Sequence, residues 1–360
     1  MPIAVVSLLI AFQAGWCPPA WAAAVEKVLA EINQLPADQR QKRLEDGARK
    51  EGRLSWYSNA NLDQMRHLAD GFMKRYPEIK IEYWRGGGNR VTDRVLLEHR
   101  AGKLDADIVG MPFEAGLSIK NAGVWARYHS PESKYYSKMF FDPEGYWHSS
   151  HLAISVIGYN TNLVRMEEAP KDYPDLLSPK WKSEISIDTE PERVVMGWLI
   201  KWGEQKTRNF LKGVMQNGAI PRRGKTLQTQ LLCGGEFKIA LDLLAARVAQ
   251  YRNDLRCPSA LVFPNPTVGT VANLDGITTA AQRPHAAALF IDYILGADGS
   301  KILANTGRIV GRKGVKSRYE ELSNLEEKNI PLLLIAPEAA QKLADATQQI
   351  VAEILIRRQF

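Results

Sequence analysis

The sequence predicts an α/β protein of two lobes, with mostly parallel sheets, helices on both sheet faces and two hinge crossings between the halves. Three observations predict it. Between residues 53 and 111, short apolar runs alternate with helix-period segments in the order β-α-β-α-β, through short loops. A second alternation begins near "ISIDTEPE" (185–192). Two extended passages, "WHSSHLAISVIGYNTNLV" (147–164) and "PNPTVG" (264–269), run between these units. A hinged protein of this build takes its ligand in the gap between the lobes, where the carboxyl ends of the strands face each other.

The elements follow in order. Residues 3–12, "IAVVSLLIAF", are apolar but too short to span a bilayer, which needs about 20 residues. Small residues follow at Ala20, Ala22, Ala23 and Ala24. This reads as a secretory leader over 1–24, cleaved after Ala22 or Ala24, although no Lys or Arg precedes the apolar run. A buried N-terminal helix is the plainer alternative. Cys17 follows bulky Trp16, which argues against lipid attachment. Helical spacing of Val25, Val28, Leu29 and Ile32 predicts a helix, Pro36 interrupts it, and a charged helix continues to about Lys50. A strand at 53–57, a helix at 61–75, a strand in "YPEIKIEYW", a helix at 90–101 and a strand in "DADIVGM" complete the first unit.

After a short helix at 114–121 and an irregular stretch, the first crossing ends at Asn160. The second unit has helices at 193–202 and 204–216 and a strand at 238–244. "PHAAALFIDYILGADGSKILANTG" reads as a helix pair separated by Gly296 and Gly299, and 336–358 as a last helix. The expected division is lobe 1 at 25–157 and 268–330, lobe 2 at 158–267, and a helical tail at 331–360.

The formal net charge of +7 is spread along 360 residues, without a Lys/Arg block interleaved with aromatics, so no nucleic-acid partner is expected. The six histidines are scattered, and no nucleophile elbow, zinc spacing, P-loop or dinucleotide glycine pattern occurs. The expectation is a binding protein and not an enzyme, with no cofactor and no metal site.

The loops after the strands supply the candidate ligand contacts. Ser58, Asn59 and Asn61 stand at a helix start, which favours an anion, though simple capping uses the same residues. Gly87 and Gly88 let backbone N–H groups approach a ligand, or make a tight turn; Asn89 and Arg90 follow, and Arg90 can grip a carboxylate or phosphate. Met111 and Glu114 form the third loop, and Tyr159 lies on the crossing. In the second unit Asp188 ends a strand, while Arg222, Lys225 and Thr226 belong to a basic loop at a helix entrance. Asp242 interrupts the apolar run "IALDLLA". It is read as a ligand contact or an ion-pair partner of Arg222, Arg223 or Lys225, or alternatively as a cap on the next helix. Cys233 and Cys257 precede two strands; if those strands are parallel, both cysteines lie at one sheet edge, and a disulfide or two buried thiols remain open.

The stretches "EGRLSWYSNAN", "ADGFMKRYPEIKIEYWRGGGNRVTDRVLLEHRAGKLDADIV", "VIGYNTNLV", "LLCGGEFKIALDLLA", "LVFPNPTVGTVANLDGIT" and "AALFIDYILGADGSKILANTGRI" together resemble the periplasmic solute-binding proteins of ABC importers, nearest the ferric-iron subgroup. The resemblance covers roughly residues 50–315. It implies a type II periplasmic binding fold, a monomer in the periplasm, a small-molecule solute captured by hinge closure, and delivery to an ABC permease in the inner membrane. Iron-binding members use adjacent tyrosines on the strand matching "IALDLLA", beside a first-lobe histidine and an acid. Here no tyrosine lies between 239 and 250, and the first-lobe loop carries Asn59 and Asn61. The helix starts, Arg90 and the Arg222–Lys225 loop make a small organic anion the expected solute, with ferric iron or an iron chelate as the alternative.

Overall fold

The computed structural model describes residues 20–358 except 326. Most of the expected leader, with Cys17, lies outside the described residues. The described chain opens with α1 (Ala20–Gln34) and α2 (Ala37–Glu51), separated at Pro36; Gly52 closes α2 in the left-handed conformation at φ 67°. Next come β1 (Arg53–Ser58), α3 (Leu62–Arg75), β2 (Lys80–Arg85), α4 (Gly88–Arg100) and β3 (Ile108–Met111). A 3-10 turn, Phe113–Ala115, leads into α5 (Gly116–Asn121). After an irregular stretch the chain enters β4 (His151–Asn160). The second unit follows as β5 (Ile185–Asp188), α6 (Glu192–Trp202), α7 (Glu204–Gln216), β6 (Ile220–Arg222), α8 (Lys225–Gly234), β7 (Ile239–Leu244), α9 (Ala245–Leu255) and β8 (Ser259–Val262). The return comprises β9 (Thr267–Val271), β10 (Leu274–Ile277), α10 (Pro284–Leu295), α11 (Ala297–Asn305) and β11 (Ile309–Val310). The chain ends with β12 (Leu332–Leu334), α12 (Pro337–Ile350) and a π-helical turn, Val351–Ile356.

The first sheet has the order β10-β3-β1-β2, with β1 parallel to β2 and β3, and β10 antiparallel to β3. Its central strands are buried on both faces because helices cover both. The α3 face of Met65, Leu68, Ala69 and Phe72 meets α10, where Phe290 packs edge-on against both Trp56 and Phe72 at 5.2 and 5.1 Å. The second sheet runs β12-β9-β4-β7-β5-β6, with β8 and β11 also on β4. Strand β4 is the structural crossing. Its first half pairs β9 and β11, and its second half pairs β7 and β8. An aromatic nest of Tyr173, Trp198, Trp202 and Phe210 fixes α6 and α7 beside this sheet.

Three details differ from the sequence-based expectation. Gly296 alone separates α10 from α11, and Gly299 lies inside α11, where a Cβ would come within 2.3 Å of the Tyr293 carbonyl oxygen. That glycine is needed for a close helix approach and not for a turn. Residues Tyr319, Leu322 and Leu325 pack with Ile154, Val156 and Leu243, against the second sheet. The terminal helix α12 lies along α6, and β12 pairs β9, so the end of the chain braces the crossing.

Cys233, near the end of α8, is disulfide-bonded to Cys257, ahead of β8, with Cα atoms 5.3 Å apart. Strands β7 and β8 both run antiparallel to β4, hence parallel to each other, which brings the two cysteines to one edge. The bridge spans a sequence separation of 24 residues. Loop-closure entropy gives it about 3 kcal/mol of stabilisation. Reduction is expected to lower the urea unfolding midpoint by a corresponding amount; equal midpoints for oxidised and reduced protein would refute this contribution.

Candidate functional site

The ends of both parallel strand sets open onto one cleft of about 880 Å³. From the first sheet come the loops after β1 (Asn59, Asn61), β2 (Gly87, Gly88, Arg90) and β3 (Pro112, Phe113, Glu114). Opposite them stand the end of β5 (Asp188), the β6–α8 loop (Arg223, Gly224), the first turn of α8 (Lys225, Thr226) and the start of α9. His151–Ile154 of β4, with Ala272, Asn273 and Arg308, form the hinge side. The volume lies within the usual range for a small-molecule site, roughly 300–1,000 Å³.

Five helices present their N-termini to this cleft: α3, α4, α6, α8 and α9. None has a side-chain cap at its N-cap residue. Each brings the positive end of its dipole, equivalent to about half a charge, although Asp188 already accepts from the Gly224 amide at the start of α8 and Asp63 and Glu192 are acids in the first turns of α3 and α6.

The second-lobe wall is held by a buried charge network. The Lys225 ammonium donates to Asp242 Oδ2 at 2.6 Å and to Asp188 Oδ2 at 3.3 Å. Asp242 also accepts from Ser155 Oγ on the crossing, at 2.6 Å. Asp188 Oδ1 accepts from the Gly224 and Glu190 amides at 3.1 and 3.2 Å, which shapes the loop entering α8. Burial alone would push the Lys225 ammonium down, but the two carboxylates together hold it above its ordinary value. Across the cleft, Arg193 of α6 donates to Glu114 at 3.2 Å, joining the two walls. Glu192 beside it is pushed up to about 7, first by burial and then by Glu114 and Glu190. On the hinge side, burial and then the Arg308 charge push the His151 imidazole down to about 3. Arg308 is itself pushed down to about 10 by burial and by Arg247.

Asn59, Asn61, Gly87, Gly88, Arg90, Glu114, Asp188, Lys225 and Thr226 line the cleft. Five other candidates do not. Ser58 is fully buried beneath it, and its hydroxyl accepts from the Ala60 amide and the Asn273 side chain. Met111 is fully buried under the third loop. Tyr159, on the far half of β4, faces a separate depression with Arg165 and Arg252. Arg222 ends β6 and turns back to the Pro221 carbonyl, leaving Arg223 at the cleft. Asp242 is buried behind Lys225; it is that lysine's ion-pair partner, and α9 begins from Leu244 without a side-chain cap. Asn89 falls in the first turn of α4. The sequence reading missed Gln64, Arg193, Asn273 and Arg308. Arg193 was within reach, since it immediately follows the strand-end stretch "IDTEPE" (187–192).

Two lobes around a cleft lined by helix N-termini and basic side chains are the arrangement of a protein that holds a ligand between them. The chain belongs to a family described as bacterial extracellular solute-binding protein, whose model matches residues 113–326. It is the solute-binding component of an ABC importer, a transport protein of type II periplasmic binding fold. Solved structures agree on the fold. Iron-bound HitA from Pseudomonas aeruginosa is 16% identical, with a TM-score of 0.73 over 83% of this chain and 99% of that one. The ferric binding protein from Campylobacter jejuni is 19% identical, with a TM-score of 0.73 over 84% and 99%. AfuA from Actinobacillus pleuropneumoniae, solved with exogenous fructose-6-phosphate bound, is 19% identical, with a TM-score of 0.72 over 85% and 98%. Among the described residues, no helix is long and apolar enough to cross a membrane.

Proposed function

We propose that the cleft captures a small organic anion in the periplasm, and that the protein works as a monomer delivering it to an inner-membrane ABC permease. The observation that carries this is the convergence of five helix N-termini, none capped by the side chain of its own N-cap residue, on one cleft. Such ends favour negative charge through their N–H groups and dipoles. Arg90, Arg193, Arg223 and Arg308 add donors from both walls and the hinge side. Ligand contacts to both lobes favour the closed arrangement over the open one, which couples binding to hinge motion. The division into 25–157 with 268–330 and 158–267 is part of this proposal, supported by the four-stranded sheet of β1–β3 with β10, which stands apart from the sheet holding β5–β8, while β9, β11 and Tyr319, Leu322 and Leu325 of the first assigned lobe pack with the latter sheet.

AfuA, bound to a sugar phosphate, is a precedent for an organic anion in this fold, and HitA is one for iron. No tyrosine lines this cleft among the described residues, so phenolate ligation of a bare ferric ion has no support here. Iron enters the reading only as a chelate that brings its own oxygen ligands.

A thermal-shift panel of phosphate esters, carboxylates and ferric citrate tests the proposal. An organic anion at a hundredfold excess over its Kd is expected to stabilise the protein by about 2.7 kcal/mol, a rise of several degrees. A rise with ferric citrate alone, and none with iron-free anions, overturns it.

A further inference from the structure

We infer that Arg308 anchors an oxyanion of the solute, a phosphoryl or carboxylate group, at the hinge end of the cleft. This rests on the anion reading above and adds the residue that imposes it.

Arg308 immediately precedes β11, whose Ile309 and Val310 pair with Leu152 and His151 of the crossing. The residue is only 4% exposed, yet it lines the cleft. Its Nε donates to the side-chain oxygen of Gln64 at 3.1 Å, and its Nη2 has no partner. Among the described residues no carboxylate lies within ion-pair distance of it. Arg247 of α9 adds a second buried cation nearby, and it donates to the neutral Gln250 side chain at 2.6 Å. The acid influencing both arginines is Asp63, whose carboxylate is held low by their charges despite its burial. His151 is neutral and contributes no charge. Arg85, which also lines the cleft, acts on Arg247 as a third guanidinium, so the cations here outnumber the one carboxylate.

An arginine serving only structure is normally matched by a carboxylate, because an uncompensated buried charge is costly. Here the unmatched N–H belongs to a planar fork suited to oxyanions. It lies where the crossing, α3 and α9 meet. An oxyanion there would satisfy the free donor and neutralise the excess charge at the point about which the lobes close.

The test uses inorganic phosphate and citrate as probes, with calorimetric titration and thermal shift on wild type, Arg308→Gln and Arg308→Lys. Wild type is expected to bind at least one probe. Arg308→Gln is expected to lose at least tenfold in affinity and most of the anion-induced shift, while melting without anion at or above the wild-type temperature. Arg308→Lys should recover part of the affinity. That opposition between anion-free stability and binding separates an anchor from a structural arginine. Wild-type affinity in Arg308→Gln overturns the anchor and leaves the anion reading standing. An anion-free melting temperature below wild type in Arg308→Gln, or failure of both variants to fold, identifies a structural role and also overturns it. No shift with any anion of the wider panel on wild type overturns both.

Discussion

Lys225→Met is expected to lower the unfolding free energy by about 3–5 kcal/mol, because it strands two buried carboxylates. The side chains of Asp242 and Asp188 are 0% and 4% exposed, and Lys225 is the cation both share. Removing it leaves Asp242 with the Ser155 hydroxyl and Asp188 with two backbone amides. Neutral hydrogen bonds of this kind do not replace a charge partner. The double variant Lys225→Met, Asp242→Asn removes one of the stranded charges and should restore a large part of the loss. A cycle of the two single variants and the double, followed by urea unfolding, reads the coupling directly. A loss below 1 kcal/mol for Lys225→Met, or strictly additive single effects, refutes the account. The same network joins β5, α8, β7 and the crossing strand, so its loss should also impair anion binding.

The Asp242 network shows where sequence reasoning stops. The strands and helices from β1 to β3 were legible because apolar periodicity and turn residues agree: Gly52 ends α2, "YPE" precedes β2, and "GGG" opens α4. The strand-end rule then located Asn59, Asn61, Gly87, Glu114 and Asp188 at the cleft. It could not say which way Asp242 points. The β4–β7 register shifts between Val156 and Gly158, and Asp242 adopts a positive φ of 65° in the bulged strand. An irregularity of this kind re-aims one side chain and leaves no trace in a period-2 pattern. Aspartate tolerates the left-handed conformation better than most residues, which fits its place there. Arg308 and Asn273 were missed for a different reason. Both reach the cleft on segments that return from the other end of the chain, so their proximity is tertiary and has no local signature.

Asp275→Asn is expected to stabilise the protein at neutral pH and to have little effect near pH 4. Asp275 lies on β10 opposite Gly110 of β3, and burial pushes its carboxyl up to about 7. Its Oδ1 has no hydrogen-bond partner. The carboxylate and the Ser58 hydroxyl sit so close over Gly110 that a Cβ there would lie 2.4 and 2.5 Å from them. An unfolded aspartate ionises near pH 3.9, so between pH 4 and 7 the native state holds a proton that the unfolded state has released. Stability from this group therefore falls as pH rises through that window and is flat above it. The shift corresponds to a loss on the order of 4 kcal/mol. Two buried histidines act oppositely. Burial pushes His148 down to about 4 and His151 to about 3, so their contribution is lost as pH falls from about 6.5. Subtracting the wild-type profile from that of Asp275→Asn cancels the histidines and isolates the carboxyl. The difference, from urea unfolding between pH 4 and pH 8, should start near zero, rise with pH in favour of the variant and level off above 7. A difference independent of pH, or one favouring wild type at pH 8, would show that Asp275 is ionised and satisfied in the native protein.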